Sequence, residues 1–368
     1  MKHVVMVPGR TELAGNHTDH QGGRVLAAAV DLYLRAEAEE TRNEIVTLDS
    51  RGFGTVSVSL DELSPEHSKP GSAEALARGT LEYLKKEGWV LGPLRAELTS
   101  EIPVGAGLSS SAAFGVMVGK LQSVFHNAGE IPPLTLALAA QYGETAHFLK
   151  PCGLMDQAAC ALGGVNRLDF LGNIPKAERI SSSLFAPEYR LLILDTGGSH
   201  RDLTSDYAAI PADMKAAASF FGKTRLRDVE EADFLASLPE LRRKCGDRAA
   251  LRALHFFEED RRVPAMAMAL KQGDAEAYLR LMDASGRSSA EVLQNVYAAS
   301  SPESQPIPLA LALSRRVLGG EGAARVHGGG FAGTVQVLAP AERVPLLRET
   351  LEPVFGPGSL REVHVSEE

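Results

Sequence analysis

The chain has 368 residues, 38 Lys+Arg and 47 Asp+Glu, for a formal charge of −9, with 44% hydrophobic and 23% charged residues. This composition fits a soluble globular protein and excludes a disordered or collagenous chain. The negative charge argues against a sequence-independent nucleic-acid binder or an acidic-membrane binder, since both need a basic face.

The length exceeds the roughly 250–300 residues at which one core stops growing, so two domains are expected, divided as 1–185 and 186–368. Cys152, Cys160 and Cys245 form neither a zinc pattern nor a disulfide framework. The apolar run before Pro8 is too short for a secretory signal, so a reducing, cytoplasmic setting is expected.

In chain order, His3–Val7 reads as a strand that runs into a polar turn at Pro8-Gly9. Val25–Val30 reads as a buried strand or a helix start. Ile45–Leu48 and Thr55–Leu60 alternate like a hairpin. Ala73–Glu87 has helical spacing with Gly88 as its stop, and Leu94–Thr99 alternates again. The uncharged run Ile102–Gly119 just reaches membrane-spanning length. Pro103 and its glycines and serines divide it into a loop and an apolar helix, Ala112–Leu121. Leu134, Leu138 and Tyr142 recur every four residues on another helix that ends near Pro151. Val165–Phe170 and Arg190–Leu194 read as strands. From Arg225 to Arg262 acidic and basic residues mix with Leu, Ala and Phe, the pattern of amphipathic helices with solvated, salt-bridged faces rather than a binding surface. Leu309–Leu318 and Val344–Phe355 read as helices, Thr334–Leu338 and Glu362–Val365 as strands. The irregular alternation of strands and helices points to an α+β class.

Four segments carry chemistry. Small residues and hydroxyls at Gly105, Ala106, Gly107, Leu108, Ser109, Ser110 and Ser111 let backbone approach a bulky anion at a helix start. The same segment also reads as a flexible turn capping that helix. Gly222-Lys223-Thr224 is no Walker A loop, because Ala217 stands where a glycine is required. Pro8 to Gly23 crowds polar groups after a buried strand, which is costly unless they bind something. Asn16, His17 and Asp19 suit sugar hydroxyls, which need donors and acceptors. His17 and His20 lack a third ligand for a metal, and Asn16-His17-Thr18 has the form of a glycosylation sequon that means little without a secretory signal. Asp156 lies among Cys, Leu, Met and Ala, as a helix N-cap or as a base for a hydroxyl proton; spacing leaves both open. His327 to Thr334 is a second glycine-rich loop, or a tight strand connection.

In this order the segments resemble the GHMP kinase superfamily and, within it, the galactokinase family. The resemblance covers Pro8 to Thr334. It implies an N-terminal mixed α/β domain, a C-terminal ferredoxin-like α+β domain, and an active site in the cleft between them. The implied activity is ATP-dependent phosphorylation of the C1 hydroxyl of galactose. Under it, 105–111 would wrap the ATP phosphates, and Ser111 and Glu144 would hold Mg2+. Asp156 would act as base or orienting carboxylate, with Arg10 beside it. Asn16, His17, Asp19, Gly153 and Tyr207 would contact the sugar, and the second glycine loop would close on it. The partners implied are the sugar and ATP, without nucleic acid or membrane, and the oligomeric state is left open between monomer and weak dimer.

The sequence departs from the family where Asn16 replaces a usual Glu, His20 a usual Tyr and Ala332 a usual Gly; residues 196–200 also depart. Asn16 raises the alternative of a C6-modified sugar such as galacturonate. A non-catalytic sugar sensor is a further alternative, disfavoured because Arg10, Glu144, Asp156 and the serine run form a complete phosphoryl-transfer set.

Overall fold

The computed structural model describes residues 2–50, 54–103, 108–172, 174–198 and 203–367. The first strand, β1 (His3–Ala14), extends well beyond Val7 and takes in the segment expected as a turn. Arg10, Thr11 and Glu12 are therefore strand residues, and the turn spans 15–23. Burial explains the extension: β1 pairs along β2 (Arg24–Glu40) from His3↔Ala38 to Ala14↔Leu26, and side chains of Arg325 and Gln336 satisfy the carbonyls of Leu13 and Glu12. Register shifts at Pro8/Gly9 and Glu12/Ala14 bend the strand where its polar side chains emerge.

The expected hairpin forms from β3 (Ile45–Ser50) and β4 (Gly54–Ser59). Helix α1 (Ala73–Lys86) is capped by Ser72, whose Oγ accepts from Ala75 N at 3.1 Å. Strand β5 (Leu94–Ser100) pairs parallel with β3 and antiparallel with β2. Then come α2 (Ser110–His126), α3 (Pro133–Tyr142) and α4 (Met155–Leu162), followed by β6 (Val165–Asp169) and β7 (Lys176–Ile180). The sheet order is β4-β3-β5-β2-β6-β7, with β1 on the opposite edge of β2. Helix α2 is apolar nearly all round and buried in the core beneath this sheet. Among the described residues no helix is long and apolar enough to cross a membrane. In α3 the buried positions are Leu136, Ala137, Ala139 and Ala140, so the Leu134–Leu138–Tyr142 recurrence marks a half-buried flank.

The chain continues through β8 (Tyr189–Asp195), α5 (Thr204–Phe220), α6 (Glu231–Cys245), α7 (Asp247–Gln272), α8 (Ala275–Ser288) and α9 (Pro306–Leu318). Strands β9 (Ala323–Val326) and β10 (Thr334–Pro340), helix α10 (Val344–Phe355) and strand β11 (Leu360–Val363) complete it. The second sheet is antiparallel in the order β11-β8-β10-β9, the β–α–β–β–α–β succession of a ferredoxin-like unit with extra helices after its first strand. The expected fold class is the observed one.

The highly charged stretch 225–262 does form helices, but not with wholly solvated faces. Arg252, His255, Glu259 and Asp260 of α7 are buried. Val263, Met266 and Leu270 of the same helix join the core of the first sheet. Helix α7 thus lies against β1 and β2, and His255 and Glu259 bond to the turn 15–23 while Asp260 pairs with Arg24 and Arg227.

One close contact positions a carboxylate. Helix α3 runs into a π-helical turn, Gly143–His147, which carries Glu144. Gly79 of α1 backs onto it: a Cβ there would lie 2.6 Å from Gly143 Cα and 2.7 Å from His147 Cδ2. Gly79→Ala is expected to push this turn outward and destabilise the fold by about 1–3 kcal/mol, measured by urea denaturation.

Candidate active site

Strand β1 delivers Arg10 to the start of α4. Its Nε donates to Asp156 Oδ1 at 2.8 Å and its Nη2 to Asp156 Oδ2 at 2.7 Å, a bidentate fork. Arg10 is buried, whereas the Asp156 side chain keeps 32% of its exposure and can meet a ligand. Asp156 is not the N-cap of α4; Leu154 holds that position and Asp156 lies in the first turn. Ser109, left-handed at φ 59°, turns its Oγ to donate to Asp156 Oδ2. Desolvation opposes ionisation of Asp156, but the charge and hydrogen bonds of Arg10, with Ser109, hold its pKa below the usual carboxylate range.

A second pair stands beside it. Ser111 Oγ donates to Glu144 Oε1 at 2.7 Å, and Gln157 Nε2 donates to Glu144 Oε2. Lys150 Nζ lies 3.4 Å from Glu144 Oε1. Helix α4 therefore supplies both Asp156 and, through Gln157, a fixed orientation for Glu144. Gly105, Ala106 and Gly107 of the expected phosphate loop lie outside the described residues. Leu108 is buried in the core of the first sheet and anchors the loop where it enters α2; Ser109, Ser110 and Ser111 stand half-buried at that entry.

Asp19 and Gly153 meet directly. A Cβ on residue 153 would lie 1.6 Å from Asp19 Oδ2, so any side chain there would displace the carboxylate. Desolvation raises Asp19 to about 6, helped by the nearby charges of Asp156 and Glu12 and opposed by backbone N–H donors of His20 and Met155.

The other three expected sugar contacts converge on the second glycine loop. Asn16 Nδ2 donates to Gly328 O at 2.7 Å, His17 Nε2 donates to Gly329 O at 3.0 Å, and Tyr207 Oη donates to Gly330 O at 2.6 Å. Burial lowers His17 to about 4, which keeps its ring neutral. Asn16 departs from the expectation drawn from its residue type: it is 1% exposed, and protein groups occupy its whole amide. A direct hydrogen bond from Asn16 to a sugar hydroxyl does not fit this packing.

A buried network behind the site was not visible in the sequence. Glu12 pairs with Arg325 of β9, and both are buried. Desolvation lifts Glu12 above its ordinary value, with Arg325 opposing. Arg325 Nη1 also donates to Leu13 O at 2.6 Å. Thr11 Oγ1 lies 3.0 Å from His327 Nε2 and accepts from Gln336 Nε2 at 2.6 Å. From α7, Glu259 accepts from Gly15 N at 3.0 Å, and His255 Nε2 donates to Asn16 O at 2.9 Å. Burial opposes the Glu259 charge, yet His255, Arg325 and Arg262 hold it at about 2. The only sequence signal for this network was the polar run that follows the apolar start of β1.

The class of protein follows from this fold and from a match of residues 75–164 to the GHMP kinases N terminal domain. The Methanococcus jannaschii mevalonate kinase superposes with a TM-score of 0.68 at 18% identity, covering 99% of this chain and 98% of that one. Residues 1–39 match the galactokinase galactose-binding signature. A galactokinase from Streptomyces coelicolor is 31% identical over 99% of this chain and 91% of its own length. The galactose complex of Lactococcus lactis galactokinase superposes with a TM-score of 0.84 at 22% identity, covering 99% of this chain and 93% of that one. The chain belongs to the galactokinase family of GHMP kinases.

Arg325→Met would leave Glu12 buried without its counter-charge. Unfolding by guanidinium is expected to show a loss of about 3–5 kcal/mol, largely recovered in the double variant Glu12→Gln/Arg325→Met.

Proposed function

We propose that this chain phosphorylates the C1 hydroxyl of galactose with ATP, releasing galactose 1-phosphate and ADP. The observation that carries the reading is the Arg10–Asp156 fork, a partly open carboxylate held ionised beside a fixed cation at the start of a helix. The sugar hydroxyl donates to Asp156. As its oxygen bonds to the γ-phosphorus, the bond from that phosphorus to the β,γ-bridging oxygen breaks and ADP leaves with the electron pair. The hydroxyl proton passes to Asp156. A carboxylate with a depressed pKa is a weak base, so it takes the proton late, which suits a loose phosphoryl-transfer transition state. Arg10 orients Asp156 and offers charge to the transferring group.

Ser111 Oγ and Glu144 form a donor set that fits Mg2+, which takes few protein oxygens and completes its shell with phosphates and water. Among the described residues no cluster of three or more His, Cys, Asp or Glu side chains could hold a metal by itself. When bound, the metal neutralises phosphate charge. Backbone at 105–111 and the start of α2 would take the phosphates. Asp19, the Gly153 backbone and His17 would meet the sugar. Cys152, Cys160 and Cys245 are free thiols, in keeping with a reducing, cytoplasmic setting.

Asp156→Ala is expected to lower kcat for galactose by at least about 10²–10³-fold while ATP still binds by calorimetry. Near-wild-type kcat would remove Asp156 from the mechanism. A second test uses Asp19, which is ionised above about pH 6 and can then accept sugar hydroxyls. With Asp156 ionised to lower pH, kcat/KM for galactose should fall with one proton as pH drops through about 6. Asp19→Asn should abolish that limb of the profile.

A further inference from the structure

Asn16 stands at the convergence of two loops, and its surroundings fix the amide in one orientation. On its nitrogen side lie two acceptors: Gly328 O at 2.7 Å and the Glu12 carboxylate at 3.2 and 3.3 Å. On its oxygen side lie two donors: Asn295 Nδ2 at 2.8 Å and Ser289 Oγ at 3.4 Å. A flipped amide would oppose like groups on both sides.

Through Asn295 the same amide reaches further into the second glycine loop. Asn295 Nδ2 also donates to Gly329 O at 3.2 Å, and Asn295 O accepts from Phe331 N. The carbonyls of Gly328, Gly329 and Gly330 thus each accept from a side chain of another segment. The glycines permit that approach: a Cβ at 329 would lie 2.6 Å from Tyr207 Cε1, and one at 330 would lie 2.1 Å from Asn295 O.

We infer that Asn16 is a positioning residue that ties the loop 327–333 to the sugar-motif turn before any substrate binds. Its donor hydrogen is the essential feature, because Gly328 O and Glu12 both require one. A carboxylate at position 16 supplies no donor and faces Glu12 with like charge. The inference deepens the proposed function by assigning sugar affinity in part to a preformed loop, and it rests on that reading only for its kinetic arm.

The titratable and charged groups around Asn16 are Glu12 of β1, His17 of the same turn, His255 and Glu259 of α7, and Arg325 of β9. The test is amide hydrogen exchange on the sugar-free enzyme, read as protection factors across pH for wild type, Asn16→Asp and Asn16→Ala. Burial beside Glu12 raises the pKa of an aspartate at 16, and its protonated form can again donate to Gly328 O. At about pH 7.5, Asn16→Asp should lose about tenfold or more in protection over 327–333, with a raised KM for galactose. Toward about pH 5.5 its protection should return to that of wild type, whereas Asn16→Ala should stay unprotected throughout. Should Asn16→Asp not fold, Asn295→Asp breaks the same tie from the other side and should release the same segment.

Wild-type protection of 327–333 in Asn16→Asp at every pH would overturn the inference, as would loss that never recovers at low pH. Absence of galactose turnover by the wild type, with the exchange pattern as described, would instead count against the proposed function alone.

Discussion

Three consecutive polar residues inside a buried strand constrain the whole molecule. Arg10, Thr11 and Glu12 cannot be left unpaired in β1, where each orphaned group would cost several kcal/mol. Each finds its partner in a different distant segment: Asp156 at the start of α4, His327 and Gln336 around the second glycine loop, and Arg325 in β9. Satisfying one strand therefore fixes where α4, β9 and β10 lie relative to β1. Asp156 and the glycine loop are positioned as a by-product of that satisfaction.

The same logic explains why charge and function share the interior. A buried ion pair such as Glu12–Arg325 is a weak source of stability compared with apolar residues of similar volume. Its yield here is geometry: it joins the first sheet to the second immediately behind the sugar-motif turn. Helix α7 adds to this from another direction, since Glu259 holds the Gly15 amide and His255 holds the Asn16 carbonyl. The turn is clamped from behind by side chains that are themselves wholly buried.

Local signals in the sequence were sufficient for much of the fold. The β3–β4 hairpin, α1 with its stop at Gly88, the apolar α2, and α10 all follow from periodicity and bounding residues. What escaped depends on partners far along the chain. Strand β9 reads Ala-Ala-Arg-Val, and nothing nearby predicts that its arginine is wholly buried, because Glu12 lies 313 residues away. The charged face of α7 looked solvated for the same reason. Strand β7 is polar and largely exposed, so it lacked an apolar alternation to read. In the site, the family resemblance implied that Arg10 stands beside Asp156 and Ser111 beside Glu144, and each pair is within hydrogen-bond distance. For Asn16 the residue type suggested a ligand contact, whereas the packing commits every polar atom of its amide to protein.

That commitment bears on how the site can change over generations. Positions 12, 16, 295 and 328 share hydrogen bonds, so the fitness of a substitution at one depends on what occupies the others. A glutamate arriving alone at 16 meets the Glu12 carboxylate and the Gly328 carbonyl; the same glutamate in a chain already altered at 12 meets the carbonyl alone. The order of mutational steps is therefore restricted.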